Sequence, residues 1–501
     1  MRNSGILMPI TALPSPWGVG TMGEEARRFL SFLRAAGQSC WQILPINPTS
    51  HGDSPYQSFS SFAGNPYLID LDDLARDGLL SREAYADLSW GAAPDQVDYS
   101  LLYRQRFPIL RQAVAQLQKQ EPQALAEFCI AERRWLPDYA LFMALKNHYD
   151  GAPWWTWSEG LRRRDPQALR EAQASLAEDV AFYQGVQYLF FRQWSALKAC
   201  AVREGISIIG DLPIYVALDS ADVWSDPGQF QLDENLQPTE VAGCPPDGFS
   251  ADGQLWGNPL FDWEKMARDG YRWWMDRIAA QFRVYDILRI DHFRGFESYY
   301  AIPFGDKDAR RGRWRKGPGL AFFRQLEQTL GQRQIIAEDL GFLTPAVRQM
   351  LRDTGYPGMK VLEFAFDSRD DNGREYLPHN FCVNCVAYVG THDNDTALGW
   401  CTSAPAADVA LAKEYLGIEE DAEMPGAMLR TLYASVAERT VAQMQDLLAL
   451  GSEARMNTPS TVGHNWRWRA LPGFDSPALA ARLHRQMELY DRLPAAAGAE
   501  Q

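Results

Sequence analysis

The sequence is poor in cysteine, and its few cysteines are scattered. It contains seven in 501 residues, an odd number without the dense spacing of a disulfide framework in a small secreted domain. Cys382 and Cys385 form a lone CxxC, without the second pair that would complete a zinc site. We expect free, buried thiols at these two positions and a reducing compartment, the cytoplasm, for the chain.

Long apolar runs and long basic runs are also missing. No stretch reaches ~18 uninterrupted apolar residues, and the N-terminal MRNSGILMPI has no long apolar segment, so we expect neither a membrane span nor a signal peptide. The formal net charge is −15, and lysine and arginine form no long run, which argues against nucleic acid or an anionic membrane as the partner. An uncharged substrate fits this composition better.

Two ligand signatures are absent as well. No GxGxxG follows a first strand, so the nucleotide site of a doubly wound open sheet has no support. The first apolar run, ILMPIT, offers no HxH pair, and no zinc spacing occurs elsewhere, which disfavours a metal-dependent barrel hydrolase. We therefore expect neither a cofactor nor a metal ion.

Short apolar runs that alternate with helical patterns make up most of the chain. Eight candidate strands lie near residues 6, 40, 207, 287, 334, 359, 385 and 454. This alternation predicts a single catalytic (β/α)8 barrel over residues 1–501, with a doubly wound open sheet as the competing fold. The excess length follows strands two, three and seven, as a helical insertion at 71–165, a loop or lid insertion at 216–262 and a helical insertion at 397–453.

The lid insertion contains the run PPDGFSADGQLWGNP. Its glycines and prolines predict an irregular segment, and Phe249 and Trp256 provide aromatic rings that could lie over a ligand.

The segment Ile287–Phe296, ILRIDHFRGF, carries the strongest local signal for chemistry. Its polar residues come directly after an apolar run, where a strand leaves its sheet and where barrel enzymes do chemistry. Because strand side chains alternate, Arg289 and Asp291 share one face, and the guanidinium should keep Asp291 ionised and available as a nucleophile or base. A structural salt bridge is the competing interpretation.

Polar residues at the carboxyl ends of barrel strands converge on one mouth. Glycoside cleavage needs one ionised and one protonated carboxyl group there. Asp291 is the candidate for the ionised group, Glu338 for the general acid, because burial would raise its pKa, and Asp393 for a third carboxylate that holds sugar hydroxyls. The full predicted set at the mouth is Asp211, Arg289, Asp291, His292, Glu338, His392 and Asp393.

Long motifs from one end of the chain to the other carry a family resemblance. They include SGILMPITALPSPWGVGTMG, WQILPINPTSHGDSPYQSFSSFAGNPYLIDL, IGDLPIYVALDSADVW, LRIDHFRGF, IIAEDLG, VGTHDNDT and RMNTPSTVGHNWRWR. The chain resembles the 4-α-glucanotransferases of the amylomaltase (disproportionating enzyme) type, glycoside hydrolase family 77 of the α-amylase clan. The resemblance implies transfer of α-1,4-glucan segments between maltooligosaccharides or to glucose, by a retaining double displacement.

The resemblance also implies roles for individual residues. Asp291 matches the nucleophile, Glu338 the general acid/base and Asp393 the stabiliser of the transition state. The positions that match substrate contacts are Ser54 and Tyr56 in DSPYQ, Asp211, Arg289, His292 and His392 around the bond that is cut, and Phe249 and Trp256 in the lid-like loop.

Two other functions remain compatible with the sequence. A hydrolase of α-1,4-glucans would use the same three acids and would differ only in whether its loops admit water. A non-catalytic glucan-binding barrel is the alternative from another class, although a binder has no reason to keep an apolar-flanked acid opposite an ionised one. The expected partners are α-1,4-glucans, maltooligosaccharides and glucose as the acceptor, with neither nucleic acid nor a membrane.

Overall fold

The computed structural model describes residues 2–246, 251–341, 343–368 and 373–494. The strands are β1 (Asn3–Leu7), β2 (Cys40–Gln42), β3 (Ser207–Leu212), β4 (Glu240–Cys244), β5 (Gln254–Pro259), β6 (Ile287–Ile290), β7 (Ser298–Pro303), β8 (Arg313–Lys316), β9 (Ile335–Ala337), β10 (Gly358–Val361), β11 (Cys385–Tyr388) and β12 (Arg439–Gln443).

The α-helices occupy most of the sequence between the strands. They are α1 (Glu24–Ala35), α2 (Leu71–Arg76), α3 (Tyr99–Gln120), α4 (Pro122–Ala131), α5 (Leu136–His148), α6 (Glu159–Arg162), α7 (Pro166–Ser175), α8 (Ala177–Glu204), α9 (Ala221–Ser225), α10 (Trp263–Arg268), α11 (Arg272–Val284), α12 (Leu320–Leu330), α13 (Pro345–Thr354), α14 (Ala397–Ser403), α15 (Ala406–Leu416), α16 (Met424–Ala434), α17 (Met444–Leu447) and α18 (Pro477–Leu489).

Eight strands form one parallel sheet in the order β10, β11, β12, β1, β2, β3, β6 and β9. The backbone N–H of Ala337, at the end of β9, donates to the carbonyl of Pro357, just before β10, over 2.9 Å. This contact closes the sheet on itself. The chain therefore folds as the (β/α)8 barrel that the alternation of strands and helices predicts, and the doubly wound open sheet is wrong.

The barrel strands are short and mostly buried because helices cover the outer face of the sheet and side chains fill the inside. Every residue of β6, ILRI, is buried, and so is every residue of β9, IIA, and of β11, CVAY. Within these three strands Arg289 is the one charged residue, and it is only 2% exposed. A buried guanidinium needs carboxylate partners, and these define the site described below.

The eighth predicted strand, near residue 454, is wrong. The strand that completes the barrel is β12, which pairs in parallel with β1 and β11, and it lies inside the segment 397–453 that the sequence predicts as helical. Its sequence, RTVAQ, is a short β-branched run whose signal is outweighed by the helical residues around it. The segment around residue 455 is instead an irregular loop at the mouth of the barrel.

A second sheet occupies part of the region that the sequence predicts as irregular. It is antiparallel, in the order β5, β4, β7 and β8, and its first two strands come from the lid insertion. Glycine permits this pairing, because a Cβ at Gly243 would lie 2.1 Å from the carbonyl oxygen of Gln254. The glycines that disfavour a strand by propensity are thus required by the close approach of two strands.

The excess length of the chain lies between barrel strands. Helices α2 to α8 separate β2 from β3, and β4 and β5 with α9 to α11 lie between β3 and β6. The other two strands of the second sheet, β7 and β8, lie between β6 and β9, and α14 to α16 separate β11 from β12. Within the described residues, no helix is both long enough and apolar enough to cross a membrane.

Candidate active site

Arg289 lies at the centre of a cluster of carboxylates at the carboxyl ends of β3 and β6. Its Nη1 is 2.7 Å from Oδ1 and 2.8 Å from Oδ2 of Asp211, and 2.9 Å from Oδ1 of Asp291. The sheet register creates the first contact, because Asp211 and Arg289 are paired positions on neighbouring strands. The second contact follows from strand alternation, which puts Asp291 on the same side as Arg289.

Glu338 lies on the next strand of the barrel. It comes directly after β9, and Ala337 pairs with Ile290, so Glu338 and Asp291 leave neighbouring strands at the same level. The carboxylate of Glu338 accepts hydrogen bonds from the backbone N–H of His292 (2.6 Å) and of Leu340 (2.9 Å). The side chain is thereby held in one orientation beside Asp291.

Burial dominates the protonation of both acids. It raises the pKa of Asp291 to about 7, with Asp211 and Glu338 acting in the same direction and Arg289 opposing them. It also raises the pKa of Glu338, against the lowering effect of Arg289 and of the two backbone N–H groups. Arg289 therefore offsets only part of the effect of burial on Asp291, because the loss of hydration outweighs one shared guanidinium, and the ionisation of Asp291 at neutral pH stays a prediction.

Tyr56 connects this cluster to the end of β11. Its hydroxyl donates to Oδ2 of Asp211 over 2.6 Å and lies 2.8 Å from Nε2 of His392. Since the only hydroxyl proton is directed at Asp211, His392 must donate from Nε2. The Nδ1 atom of His392 is buried and has no hydrogen-bond partner among the described residues, and its Nε2 also lies 3.4 Å from Oδ2 of Asp393.

Asp393 is the most exposed of the predicted acids, with 47% of its side chain accessible. Its Oδ1 accepts a 2.6 Å hydrogen bond from the Nδ2 of Asn457, and its backbone carbonyl accepts a 2.7 Å bond from Arg455. Arg455 also donates to the carbonyl of Asn457 over 2.7 Å. The irregular loop that replaces the predicted eighth strand therefore fixes both the backbone and the carboxylate of Asp393.

His292 and Trp256 form the side of the site that faces the second sheet. Their rings meet edge to face with centroids 5.0 Å apart. Burial lowers the pKa of His292 to about 3, so the ring is neutral above that pH. Its Nε2 is buried without a hydrogen-bond partner among the described residues and is available to a ligand's hydroxyl group.

Comparisons with known proteins agree with this geometry. The sequence pattern of the family described as 4-alpha-glucanotransferase, glycoside hydrolase family 77, matches residues 8–473. The 4-alpha-glucanotransferase of Thermus thermophilus is 48% identical over 503 residues, which cover 98% of this chain and 99% of the relative. The 4-alpha-glucanotransferase of Clostridium butyricum is 44% identical over 487 residues, which cover 97% of this chain and 100% of the relative. The chain belongs to the 4-alpha-glucanotransferase family.

A solved structure supports the same assignment. The amylomaltase from Streptococcus agalactiae in complex with acarbose superposes with a TM-score of 0.95 at 41% identity, and the match covers 99% of this chain and 100% of that one. The family resemblance in the sequence is thus confirmed, and the chain is an enzyme of the transferase class.

The structure of this 4-alpha-glucanotransferase family member brings most of the predicted site residues together. One connected group of contacts at the barrel mouth contains Asp211, Arg289, Asp291, Tyr56, His392 and Asp393. A second group, which begins at the residue after Asp291, contains His292, Glu338 and Trp256. The hydroxyl of Ser54 accepts from the backbone N–H of Tyr56 over 3.2 Å and so shapes the loop, and its role as a substrate contact stays a prediction. Phe249 lies outside the described residues.

Three residues of the site were not predicted from the sequence. Arg455 and Asn457 hold Asp393, and the ring of Trp466 lies 5.7 Å from that of Tyr56 and 6.0 Å from that of His392. All three belong to the motif RMNTPSTVGHNWRWR. The motif was the only available signal, because none of the three follows a barrel strand.

Proposed function

We propose that the chain transfers α-1,4-glucan segments from one maltooligosaccharide to another, or to glucose, by a retaining double displacement. The observation that carries the proposal is the pairing of Asp291 and Glu338 at the ends of neighbouring strands, with an ion pair between Asp291 and Arg289. Two carboxyl groups of unequal protonation are what glycosidic bond exchange requires.

The surroundings assign a different role to each acid. Asp291 touches the guanidinium of Arg289, which favours its charged form. Glu338 is partly buried and accepts from two neutral N–H groups, and burial raises the pKa of its carboxyl group as it does that of Asp291. When one proton is shared between them, we place it on Glu338 and the negative charge on Asp291, because Asp291 contacts the guanidinium.

The proposed reaction proceeds in two displacements. Glu338 donates its proton to the glycosidic oxygen while Asp291 attacks C1 of the donor sugar, which gives a glycosyl-enzyme ester and a free leaving sugar. Glu338 then removes the proton from the 4-hydroxyl group of an incoming glucan, and that oxygen attacks C1 and releases Asp291. Two inversions at C1 retain the configuration of the bond.

The other residues bind and position the sugar in this scheme. Asp393, held by Asn457, accepts hydrogen bonds from the hydroxyls of the sugar whose bond is broken. His292 offers an uncharged ring nitrogen, and Trp256 and Tyr56 offer aromatic faces for the apolar faces of sugar rings. Phe249 is proposed as a further lid contact.

Transfer instead of hydrolysis requires that an acceptor sugar arrive at the ester before water does. We assign this role to the insertions that follow β2 and β3, namely the helical insertion 71–165 and the lid insertion 216–262. The helical segment 397–453 lies beside the end of β11, from which His392 and Asp393 project, and we propose that it supports them.

Incubation with maltotriose separates transfer from its alternatives. Transfer produces glucose and longer maltodextrins at a constant number of reducing ends. A hydrolase would produce shorter sugars with a matching rise in reducing ends, and a glucan-binding protein would leave maltotriose unchanged. The time course of chain lengths together with a reducing-end assay gives all three answers.

The covalent intermediate can be tested separately. In the variant Glu338→Gln, an α-maltosyl fluoride donor still glycosylates the enzyme, because fluoride leaves without an acid, whereas the second step lacks its base. We expect intact mass to rise by one maltosyl unit and peptide mapping to place that unit on Asp291. The double variant Asp291→Asn, Glu338→Gln is the control, and an adduct in that variant would remove the assignment of Asp291.

We also propose a cytoplasmic location. All seven cysteines are free thiols, as is usual for proteins of a reducing compartment.

A further inference from the structure

The CxxC at Cys382 and Cys385 combines an exposed thiol with a buried one. Cys385 is the first residue of β11 and is only 1% exposed, whereas Cys382 lies in the preceding turn and is exposed. The expectation of two buried thiols is therefore wrong for Cys382. In such a pair the exposed thiol can react with a disulfide from solution, and the buried thiol can then resolve the mixed disulfide that forms.

The turn between the two cysteines is tight and anchored. The backbone N–H of Cys385 donates to the carbonyl of Val383 over 2.8 Å, and the thiol of Cys385 donates to the carbonyl of Cys382 over 3.0 Å. Two further bonds fix the turn to its neighbours, from Asn384 Nδ2 to the carbonyl of Gly355 (3.0 Å) and from the N–H of Glu438 to Val383 (2.9 Å). The two side chains therefore stay close together in the folded protein.

The charges around the pair make the two thiols unequal. The neighbouring Cys385 thiol lowers the pKa of Cys382 to about 6, and the ammonium group of Lys360 acts in the same direction against partial burial. The same neighbour relationship raises the pKa of Cys385, and burial adds to this effect. The thiolate is the nucleophilic form of cysteine, so the exposed member of the pair carries the reactivity.

We propose that Cys382 and Cys385 form a thiol–disulfide exchange site for small disulfides of the oxidised glutathione class. The site lies at the amino-terminal end of β11, the end of the strand opposite to His392 and Asp393, and it is independent of the proposed glucan chemistry. No cluster of three or more His, Cys, Asp or Glu side chains in the described ranges could hold a metal ion there, so the residues favour exchange over metal binding.

The exchange is balanced without a further reagent. The thiolate of Cys382 attacks one sulfur of the small disulfide, which breaks the S–S bond, forms a mixed disulfide and releases one small thiolate. Cys385 then loses its proton and attacks Sγ of Cys382, which forms the protein disulfide and releases the second small thiol. Two protein thiols are oxidised, and one small disulfide is reduced to two thiols.

Intact-mass measurement of the folded, full-length chain with oxidised glutathione tests each step. The wild-type chain should lose two hydrogen atoms and retain no glutathione. Cys385→Ser and Cys385→Ala should instead each accumulate one glutathione on Cys382, because the resolving thiol is missing. Cys382→Ser should show neither change at this pair, and dithiothreitol should reverse both products.

Cys401 is the matched control thiol. It is partly buried, and burial raises the pKa of its thiol to about 11, so Cys401→Ser should react as the wild-type chain does. Modification of Cys401 or Cys129 ahead of Cys382 would overturn the proposal. So would a Cys385→Ala variant that folds, by its thermal unfolding, and yet takes up no glutathione.

The transfer of glucan from maltotriose is measured separately from glutathione exchange. The Cys382→Ser variant should retain wild-type transfer, because Cys382 lies outside the barrel mouth. If Cys382→Ser loses glutathione exchange and keeps transfer, the thiol site is supported and is separate from the active site. If the wild-type chain fails to transfer, the proposed glucanotransferase function is wrong and the thiol site is unaffected.

Discussion

The amide of Asn457 donates to the carboxylate of Asp393 over 2.6 Å, although 64 residues separate them. Arg455 reinforces the contact by bonding to the backbone of both residues. Asp393 is nearly half exposed, and its other carboxylate oxygen, Oδ2, lies 3.4 Å from Nε2 of His392. The orientation of this proposed catalytic acid thus depends on a loop that follows the last barrel strand.

Asn457→Ala should reduce kcat/KM for maltotriose about ten- to a hundredfold, because a hydrogen bond to a charged group contributes about 1.5–3 kcal/mol. Asn457→Asp should reduce it further, since a second carboxylate would repel Asp393. Steady-state kinetics of product formation at neutral pH measures both effects.

Asn465→Ala is the control for damage to the loop itself. Asn465 bonds to Thr458 and Thr461 in the same loop and not to Asp393. A loss equal to that of Asn457→Ala would show that the loop as a whole is needed, and the specific role of the Asn457 amide would have to be given up.

Asp291→Asn should abolish transfer, by about 10⁴- to 10⁶-fold as for the loss of other catalytic nucleophiles and triad members, while the fold is retained. The variant should also be slightly more stable at pH 8. The folded pKa of Asp291 is about 7, above the usual 3.8, so the folded state holds this proton more tightly and stability decreases as pH rises from about 4 to 7. Asparagine has no proton to lose, so Asp291→Asn removes this decrease in stability with pH.

Thermal unfolding at pH 5 and pH 8 checks the stability part of this prediction. The difference in Tm between Asp291→Asn and the wild-type chain should be more favourable to the variant at pH 8. A variant that is less stable at pH 8 than at pH 5, relative to the wild-type chain, would contradict the raised pKa.

Much of the site could be predicted from the sequence because it sits at strand ends. Arg289, Asp291 and Glu338 follow or end short apolar runs that can only be buried strands, and parallel strands in a barrel bring such ends together. Local alternation was enough to place Arg289 beside Asp291. The eight-stranded barrel followed from the same pattern.

Features that depend on tertiary context could not be predicted. The raised pKa of Asp291 is one of them, because the sequence shows a neighbouring arginine but not the loss of hydration that outweighs it. Asn457 was missed because its loop has no periodic pattern, and β12 was missed because a run of five residues lies between long helical stretches. Gly243 permits the pairing of β4 with β5, but its sequence position alone does not show this, because the requirement for glycine comes from the close approach of β5.

Asp211→Asn should shift the acidic limb of the pH profile of kcat/KM to lower pH. Asp291 must lose its proton to attack, so activity falls as pH falls through its folded pKa of about 7. Asp211 raises that pKa and also shares Arg289 with Asp291. Its neutralisation removes the repulsion and leaves the guanidinium to Asp291, and both changes lower the pKa.

Asp276→Asn is the matched control, because it removes the same charge from a surface ion pair with Arg134. Its pH profile should coincide with that of the wild-type chain. An unchanged or upward-shifted acidic limb in Asp211→Asn would show that Asp291 does not govern that limb.

Glu363→Gln should leave transfer unchanged and increase stability at alkaline pH. Glu363 lies after β10, is 4% exposed, and packs so closely that a Cβ on Gly390 would be 2.8 Å from its Oε1. That oxygen has no hydrogen-bond partner among the described residues. Burial raises the pKa of Glu363 well above 4.5, and the nearby Asp446 and Asp395 raise it further against Arg455.

The sign of the effect follows from linkage. The folded state keeps the Glu363 proton above pH 4.5, where the unfolded chain releases it, so this residue lowers stability progressively as pH rises from that value. Glutamine has the shape of the protonated acid and no proton to lose, so the gain in Tm of Glu363→Gln over the wild-type chain should grow between pH 5 and pH 9. Glu375→Gln, which breaks a surface pair with Arg348, should change stability by less than about 1 kcal/mol and without this trend. A gain that is flat with pH, or a loss of transfer in Glu363→Gln, would mean that Glu363 is ionised in the folded protein and that its charge supports the backbone before His392.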